Sequence, residues 1–203
     1  MKKITWILCC SVFFSLTAYA QLKKGQIDPT KVPARHQHYL PEYTFDVPSN
    51  PAQWNSQKAG MNVSFASTDE LYLRAEIPQL QKETHVWEAV GWKGERLNVQ
   101  ILVWSPDTIE QIRMKVNELK DANGNIIKQE YIKTNIVRYV LSNYPYDANN
   151  VSCDVPMNDS AYLMPDRLEP LDRFDLPAKS VRSVWLSVEL PQNTTPGVYV
   201  GSI

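Results

Sequence analysis

The stretch WEAVGWKGERLNVQILVW, residues 87–104, decides the fold. In residues 96–104 successive side chains alternate in direction, which is typical of a strand with one face on a core. That face carries Leu97, Val99, Ile101 and Val103. Residues 84–90 predict a preceding strand. Gly91 and Gly94 suit a tight reversal between the two strands, because glycine adopts positive φ without steric cost.

Further strand patterns follow at short spacing along the chain. The clearest is residues 181–190, and the others occupy residues 61–75, 126–132, 135–141 and 198–203. About eight strands without a repeated helical pattern predict an all-β protein, an antiparallel β-sandwich of the immunoglobulin or jelly-roll kind, over residues 63–203. Residues 143–177 are rich in proline and aspartate, and we expect a long irregular segment with a functional or interdomain role.

Residues 109–119 fit two structures. The alternation of Ile112, Met114 and Val116 with polar neighbours favours a strand, whereas the same run also fits one apolar face of a helix. We prefer the strand, because Asn123-Gly124 follows and Asn-Gly is a strong hairpin signal.

The N-terminus has the pattern of a signal peptide over residues 1–20. Lys2 and Lys3 precede an apolar run, and Ala18-Tyr19-Ala20 is a small-x-small cleavage site. The run is too short for a membrane span. The sequence therefore predicts export to the periplasm or the exterior, with residues 21–62 as a proline-rich extended leader.

Composition excludes several classes of protein. The chain has 203 residues, a net charge of −1 and 43% hydrophobic residues, so it is expected to fold and gives no reason to expect nucleic acid or an anionic membrane as partner. Cys153 is the one cysteine after the signal peptide, and its neighbours supply no base. His36 and His38 lack the further ligands that a metal site needs. We predict no metal, no cofactor and no catalytic residue.

Trp92, Glu95 and Arg96, beside Gly94, are the candidate binding residues. The simpler interpretation of Glu95 and Arg96 is an ion pair or hydrogen bonds that fix the turn. A sugar platform of Trp87, Trp92 and Trp104 is a further hypothesis. At strand spacing, Trp104 and Trp185 are expected in the core or in an interdomain contact, because large aromatic side chains bury much area there.

Seven short segments in order resemble the N-terminal domain of family 123 glycoside hydrolases and related exported proteins of gut Bacteroides-type bacteria. The resemblance covers roughly residues 84–203. The segments are WEAVGWKGER (87–96), QILVWSP (100–106), VRYV (137–140), PDRL (165–168), LPA (176–178), VWLSV (184–188) and TPGVYVG (195–201).

This resemblance implies that a (β/α)8 barrel follows the sandwich in the same polypeptide and holds the chemistry. In the family the barrel cleaves terminal β-linked N-acetylgalactosamine, with the substrate's acetamido group as nucleophile and an adjacent Asp-Glu pair on the barrel. The present sequence has no βα alternation, so the pair has no position here. Asp69-Glu70 lies outside any barrel strand and is not assigned catalysis.

Two functions remain open from the sequence. The chain is either the non-catalytic N-terminal domain of an exported glycosidase, with the barrel as partner and residues 143–177 at the edge of the substrate cleft, or a self-standing sandwich that binds carbohydrate or protein. An isolated hydrolase is disfavoured, because no Ser/His/Asp or metal set is visible.

Overall fold

The computed structural model describes residues 46, 50–142, 162–170 and 173–203. These residues form antiparallel strands with very little helix, which confirms the all-β class. The helical elements within them are α1 (Ala52–Asn55) and a 3₁₀ turn at Gln129–Tyr131. The strands are β1 (Asn62–Ala66), β2 (Arg96–Ser105), β3 (Ile109–Arg113), β4 (Leu119–Lys120), β5 (Ile126–Ile127), β6 (Ile132–Ser142), β7 (Tyr162–Glu169), β8 (Arg173–Leu176) and β9 (Ser180–Glu189).

The main sheet has five strands in the order β1-β2-β9-β6-β7. Its longest pairing joins β2 to β9 from Arg96 opposite Glu189 to Ser105 opposite Ser180. The strand predictions for residues 96–104 and 181–190 are confirmed. The expectation that β2 buries one face is wrong, because every residue of β2 from Val99 onward is buried. A central strand with side chains packed on both faces loses the polar alternation of a half-exposed one.

One face of the main sheet, called here the first face, packs against two short β-ribbons. Val99 and Ile101 of β2 form a cluster with Ile127 of the β4–β5 ribbon. Val103 packs with Leu176 of the β3–β8 ribbon. The two ribbons therefore cover the first face of β2 from Val99 to Val103.

The opposite, second face is covered along half of its length. Trp54 of α1 and Tyr72, from the irregular run after β1, pack on Leu102, Trp104 and Val181. Trp54 is 1% exposed, and its indole N–H donates to the carbonyl of Ala75 at 2.9 Å. Trp54, in the predicted leader, thus packs against the domain.

A buried ion pair also ties the predicted leader to this cover. The guanidinium of Arg74 lies against the carboxylate of Asp46, with Nε and Oδ1 at 2.6 Å, and both side chains are buried. The carbonyl of Arg74 accepts the N–H of Val181 at 2.7 Å. Asp46 is therefore linked through Arg74 to the central strand β9.

The predicted strand at residues 84–90 is wrong. Its main chain meets β1 at one point, where the N–H of Phe65 donates to the carbonyl of Thr84 at 2.8 Å. β1 and β9 pair with the two edges of β2, so β2 has no free edge with which residues 84–90 could pair. Gly94 has the expected positive φ of 82°, but its N–H pairs with the carbonyl of Leu190 at 2.6 Å, beyond the end of β9.

The strand preference for residues 109–119 is confirmed at Ile109–Arg113, but residues 114–118 form no strand and Leu119 begins β4. A positive φ at Gln111 interrupts β3 and shifts its register against β8. The Asn-Gly hairpin is also confirmed, with Gly124 at φ 86° and the Asp121 carboxylate accepting the N–H groups of Asn123 and Asn125. The return strand is only Ile126–Ile127, because the 3₁₀ turn follows it.

Three other expectations need correction. Residues 143–177 are not irregular throughout, since β7 and β8 lie within them; Pro165 is tolerated where the β6–β7 register shifts. Residues 71–73 form no strand, although they had been grouped with β1. Residues 198–203 also form no strand and pair with β4 through a single bridge between Val200 and Lys120.

Several sequence predictions lie outside the described residues. These are the signal peptide, most of the leader, His36, His38 and Cys153. Within the described residues, no helix has the length and hydrophobicity that crossing a membrane requires.

Substitutions of a buried tryptophan, Trp54, and of an exposed one, Trp92, test whether the core is assigned correctly. Trp54→Ala should lower the free energy of unfolding by about 3–5 kcal/mol, because it opens a cavity and removes the hydrogen bond to Ala75. Trp92→Ala, at an 83% exposed position, should change it by less than about 0.5 kcal/mol. Urea unfolding measures both, and equal losses would contradict the assigned core.

Candidate functional site

Trp92 and Glu95 lie together in the turn before β2. The N–H of Trp92 donates to Oε2 of Glu95 at 2.7 Å, and the N–H of Glu95 donates to the carbonyl of Trp92 at 3.0 Å. The indole is exposed and the carboxylate is occupied in holding the loop closed. This is the turn-fixing role that the simpler interpretation gave to Glu95.

Arg96 lies apart from this turn, on the second face of the sheet. Its guanidinium lies 2.5 Å from the carboxylate of Glu189, and Nζ of Lys133 reaches the same oxygen at 3.2 Å. The hydrogen bonds from Lys133 and then Arg96 hold the pKa of Glu189 below its ordinary value of 4.5. The structure therefore brings Trp92 and Glu95 together and places Arg96 in a surface ion-pair cluster.

Trp87, Trp92 and Trp104 do not form a platform. Trp104 is buried on the second face, with its N–H donating to Gln57 at 3.2 Å. Trp87 packs beside Phe65 on the first face, with ring centroids 6.5 Å apart. Because the sheet separates these two rings, no single ligand can contact both.

A cleft of about 210 Å³ opens on the uncovered half of the second face, and we call it the Trp185 cleft. Its floor on the sheet is Trp185, Gln100 and Val137. Its walls are Glu70 and Leu71 from the run after β1, and Asp166 and Leu168 from β7. The cleft thus combines an aromatic ring and aliphatic side chains with two carboxylates.

Hydrogen bonds fix the floor of the Trp185 cleft. The indole N–H of Trp185 donates to Oδ1 of Asn98 at 3.2 Å, and the hydroxyl of Ser187 donates to the same oxygen at 2.7 Å. These bonds hold the ring in one orientation and leave its face toward the cleft as its contact surface.

Gln100 fixes the wall. Its amide nitrogen donates to the carbonyls of Ser67 at 2.8 Å and Glu70 at 3.0 Å, while its amide oxygen accepts the hydroxyl of Ser183 at 2.5 Å. A buried amide whose groups are all bonded is costly to displace. The main chain that carries Glu70 is therefore anchored to the centre of the sheet.

The sequence missed the Trp185 cleft, although part of the signal was present. The alternation in residues 181–190 sets Trp185 on the same side as Ser183 and Ser187, a polar side of the strand. Trp104 and Trp185 were expected in the core or in an interdomain contact; Trp104 is in the core, whereas Trp185 is only partly buried, so for it the interdomain contact stays a prediction. Asn98 and Asp166 are far away in sequence, so their approach follows from the sheet order alone.

A second cleft, of about 320 Å³, lies between α1 and residues 77–83. The amides of Gln53 and Gln57 and the edge of Trp104 line it, and Gln57 already accepts the Trp104 N–H. Within the part of the chain that the structure describes, no three His, Cys, Asp or Glu side chains are grouped closely enough to hold a metal ion.

These features define an all-β domain that offers surfaces for contact. Residues 65–203 match the model of the glycoside hydrolase 123 N-terminal domain, and the chain belongs to that family. The fold resembles the solved structure of a family 123 glycoside hydrolase from Clostridium perfringens that hydrolyses glycolipid glycans. The TM-score is 0.57 at 21% identity, over 70% of this chain and 24% of that one. No curated protein matches the chain.

The ion-pair cluster around Glu189 makes stability depend on pH. A carboxyl with a depressed folded pKa stabilises the fold above its unfolded pKa and loses that contribution as pH falls through the folded value. We expect the thermal midpoint to fall below about pH 4.5, with a shallower fall in Glu189→Gln. Glu88→Gln, at an exposed position before β2, is the control and should keep the wild-type slope. Identical slopes in all three proteins would rule out the effect.

Proposed function

We propose that this chain is the non-catalytic N-terminal domain of an exported glycoside hydrolase that acts on β-linked N-acetylhexosamine glycans, N-acetylgalactosamine foremost. Its role is to support a catalytic barrel in the same polypeptide. The family of the chain supports this assignment, as does the glycan-hydrolysing C. perfringens protein, of whose length the chain covers about a quarter. The signal-peptide pattern in residues 1–20 supports export.

The observation that carries the proposal is a β-ribbon with apolar side chains on both faces. Inward, Ile127, Leu119 and Tyr199 pack on the core of the first face. Outward, Ile126 and Val200 flank Lys120, since β4 pairs Lys120 with Ile126 on one side and with Val200 on the other. Val198 lies two residues before Val200, and these exposed side chains, Ile126, Val198 and Val200, form what we call the outer ribbon face.

An apolar outer ribbon face fits a domain that is covered from outside. Solitary surface valines are ordinary, but three large aliphatic side chains on one small ribbon, two of them more than two-thirds exposed, mark a contact surface. In this arrangement the two ribbons are the second layer of the sandwich, and the barrel packs over that layer. Interdomain contacts of this kind are common within one chain.

A self-standing module that binds carbohydrate or protein is the alternative. The Trp185 cleft is the observation that favours it, because a ligand site on the sheet needs no second domain. The two functions predict different results in a hydrolysis assay, because only the first predicts that a longer product of the same gene hydrolyses a glycoside.

Hydrolysis of an aryl β-N-acetylgalactosaminide separates them. The protein of residues 21–203 should be inactive, while the full product of its gene should turn over the substrate, because the chemistry belongs to the barrel. Chromogenic release measures both proteins at equal molarity. Turnover by residues 21–203 alone would overturn the proposal.

A second test addresses the outer ribbon face. In the full gene product, Val200→Asp should lower the free energy of unfolding by at least about 2 kcal/mol, because it removes a carboxylate from water at the interface, and this desolvation cost persists even with Lys120 opposite. In residues 21–203 alone it should change stability by less than about 0.5 kcal/mol. Val86→Asp is the matched control, since Val86 is 66% exposed and Val200 is 68% exposed. Equal effects of the two substitutions in the full product would exclude this face as the interface.

A further inference from the structure

We propose that the Trp185 cleft binds one neutral sugar residue of a glycan, which stacks on the indole and hydrogen-bonds to the carboxylates of Glu70 and Asp166. All the residues that line the site belong to this chain. Only the choice of probe sugar rests on the proposed function.

The aromatic floor suits the apolar face of a pyranose ring. The C–H groups of a sugar face are weakly positive and pack on the negative face of an indole. Within the described residues, Trp54 and Trp104 are buried under the covered half of the second face, whereas Trp185 lies in the open half. Its N–H is already bonded to Asn98, so stacking is what the ring still offers.

The two carboxylates suit hydroxyl groups and disfavour anions. A carboxylate accepts hydrogen bonds from neighbouring hydroxyls and donates none when ionised. Glu70 and Asp166 are both exposed on the walls of the cleft. Two cations, Arg96 and Lys133, also belong to the second face, and both pair with Glu189. The charge that faces a ligand is therefore negative, which repels an acidic sugar, a sulfate or a phosphate.

The size of the cleft favours one ring over a long chain or a protein segment. Its volume of about 210 Å³ lies below the roughly 300–1,000 Å³ of pockets that enclose drug-sized ligands. Leu71 and Leu168, which are 45% and 46% exposed, offer aliphatic contact for a small apolar substituent such as an N-acetyl methyl group.

The side chain and main chain that line this cleft are already held in place by hydrogen bonds in the free protein. Asn98 orients the ring, and Gln100 anchors the main chain of Glu70 to the sheet. Groups that are ordered in the free protein lose little entropy when a ligand arrives. A weak ligand such as a single sugar therefore gains measurable affinity.

The first test is calorimetric titration of the chain with methyl β-N-acetylgalactosaminide. We expect saturable binding with a Kd near 1 mM. Trp185→Ala should weaken binding at least about tenfold, while Trp185→Phe, which keeps an aromatic face, should weaken it less. Val90→Ala, at a 96% exposed position that does not line the cleft, is the control and should leave the Kd unchanged. Equal losses from Trp185→Ala and Val90→Ala would overturn the site.

The second test compares a neutral sugar with an acidic one and substitutes only exposed side chains, so that the core is unchanged. Methyl β-glucuronide should bind more weakly than the neutral glycoside, and the double substitution Glu70→Gln with Asp166→Asn should remove that difference. Both side chains are exposed, so these variants should fold even if Trp185→Ala does not. Absence of saturable binding of the neutral sugar to the wild-type chain would overturn the proposal, as would tighter binding of the glucuronide. The proposal would also be overturned if Trp185→Ala left sugar binding unchanged and weakened only the association between the domains of the full gene product. Failure of the barrel hypothesis in the hydrolysis assay would leave these outcomes unaffected.

Discussion

The pairing of β2 with β9 determines where every other part of the domain lies. Ten residue pairs fix the register from Arg96–Glu189 to Ser105–Ser180, and a slip of one residue would exchange the two faces of a strand. In the observed register Val99, Ile101 and Val103 meet the ribbons, while Leu102 and Trp104 meet Trp54. The same register sets Gln100 opposite Trp185. The core on one face and the cleft on the other are thus consequences of one pairing.

Polar side chains inside this sheet explain why a simple alternation fails to describe it. Gln100 and Ser183 are buried on the second face and bond to each other, and Ser64 is buried with its hydroxyl bonded to main chain. Each such group must find a partner, because an unbonded buried polar atom costs free energy. The partners of Gln100 are the carbonyls of residues 67 and 70. An irregular run is thereby held to the sheet by hydrogen bonds and not by strand pairing.

The sequence predicted what depends on neighbouring residues and missed what depends on distant ones. The strands at 96–104 and 181–190 and the Asn-Gly hairpin followed from local periodicity and turn chemistry, and all three are present. The strand at 84–90 failed because β1 and β9 hold both edges of β2, a choice that periodicity does not encode. Arg96 was placed with the turn by proximity in sequence, whereas strand geometry pairs it with Glu189, 93 residues away. The floor and walls of the Trp185 cleft come from five separate segments, so only the sheet order brings them together.

The two proposed surfaces lie on opposite sides of the main sheet, which makes them compatible. The outer ribbon face points away from the first face, and the Trp185 cleft opens on the second. If the proposed barrel packs over the ribbons, that contact lies on the opposite side of the main sheet from the cleft. A sugar site with millimolar affinity is weak by itself, but a second site on the same polypeptide raises the effective concentration of a multivalent glycan near the first. This gain in apparent affinity requires that one glycan, or one surface that carries many glycans, occupies both sites. It should therefore be large for a surface that displays many glycans and absent for a single short glycoside.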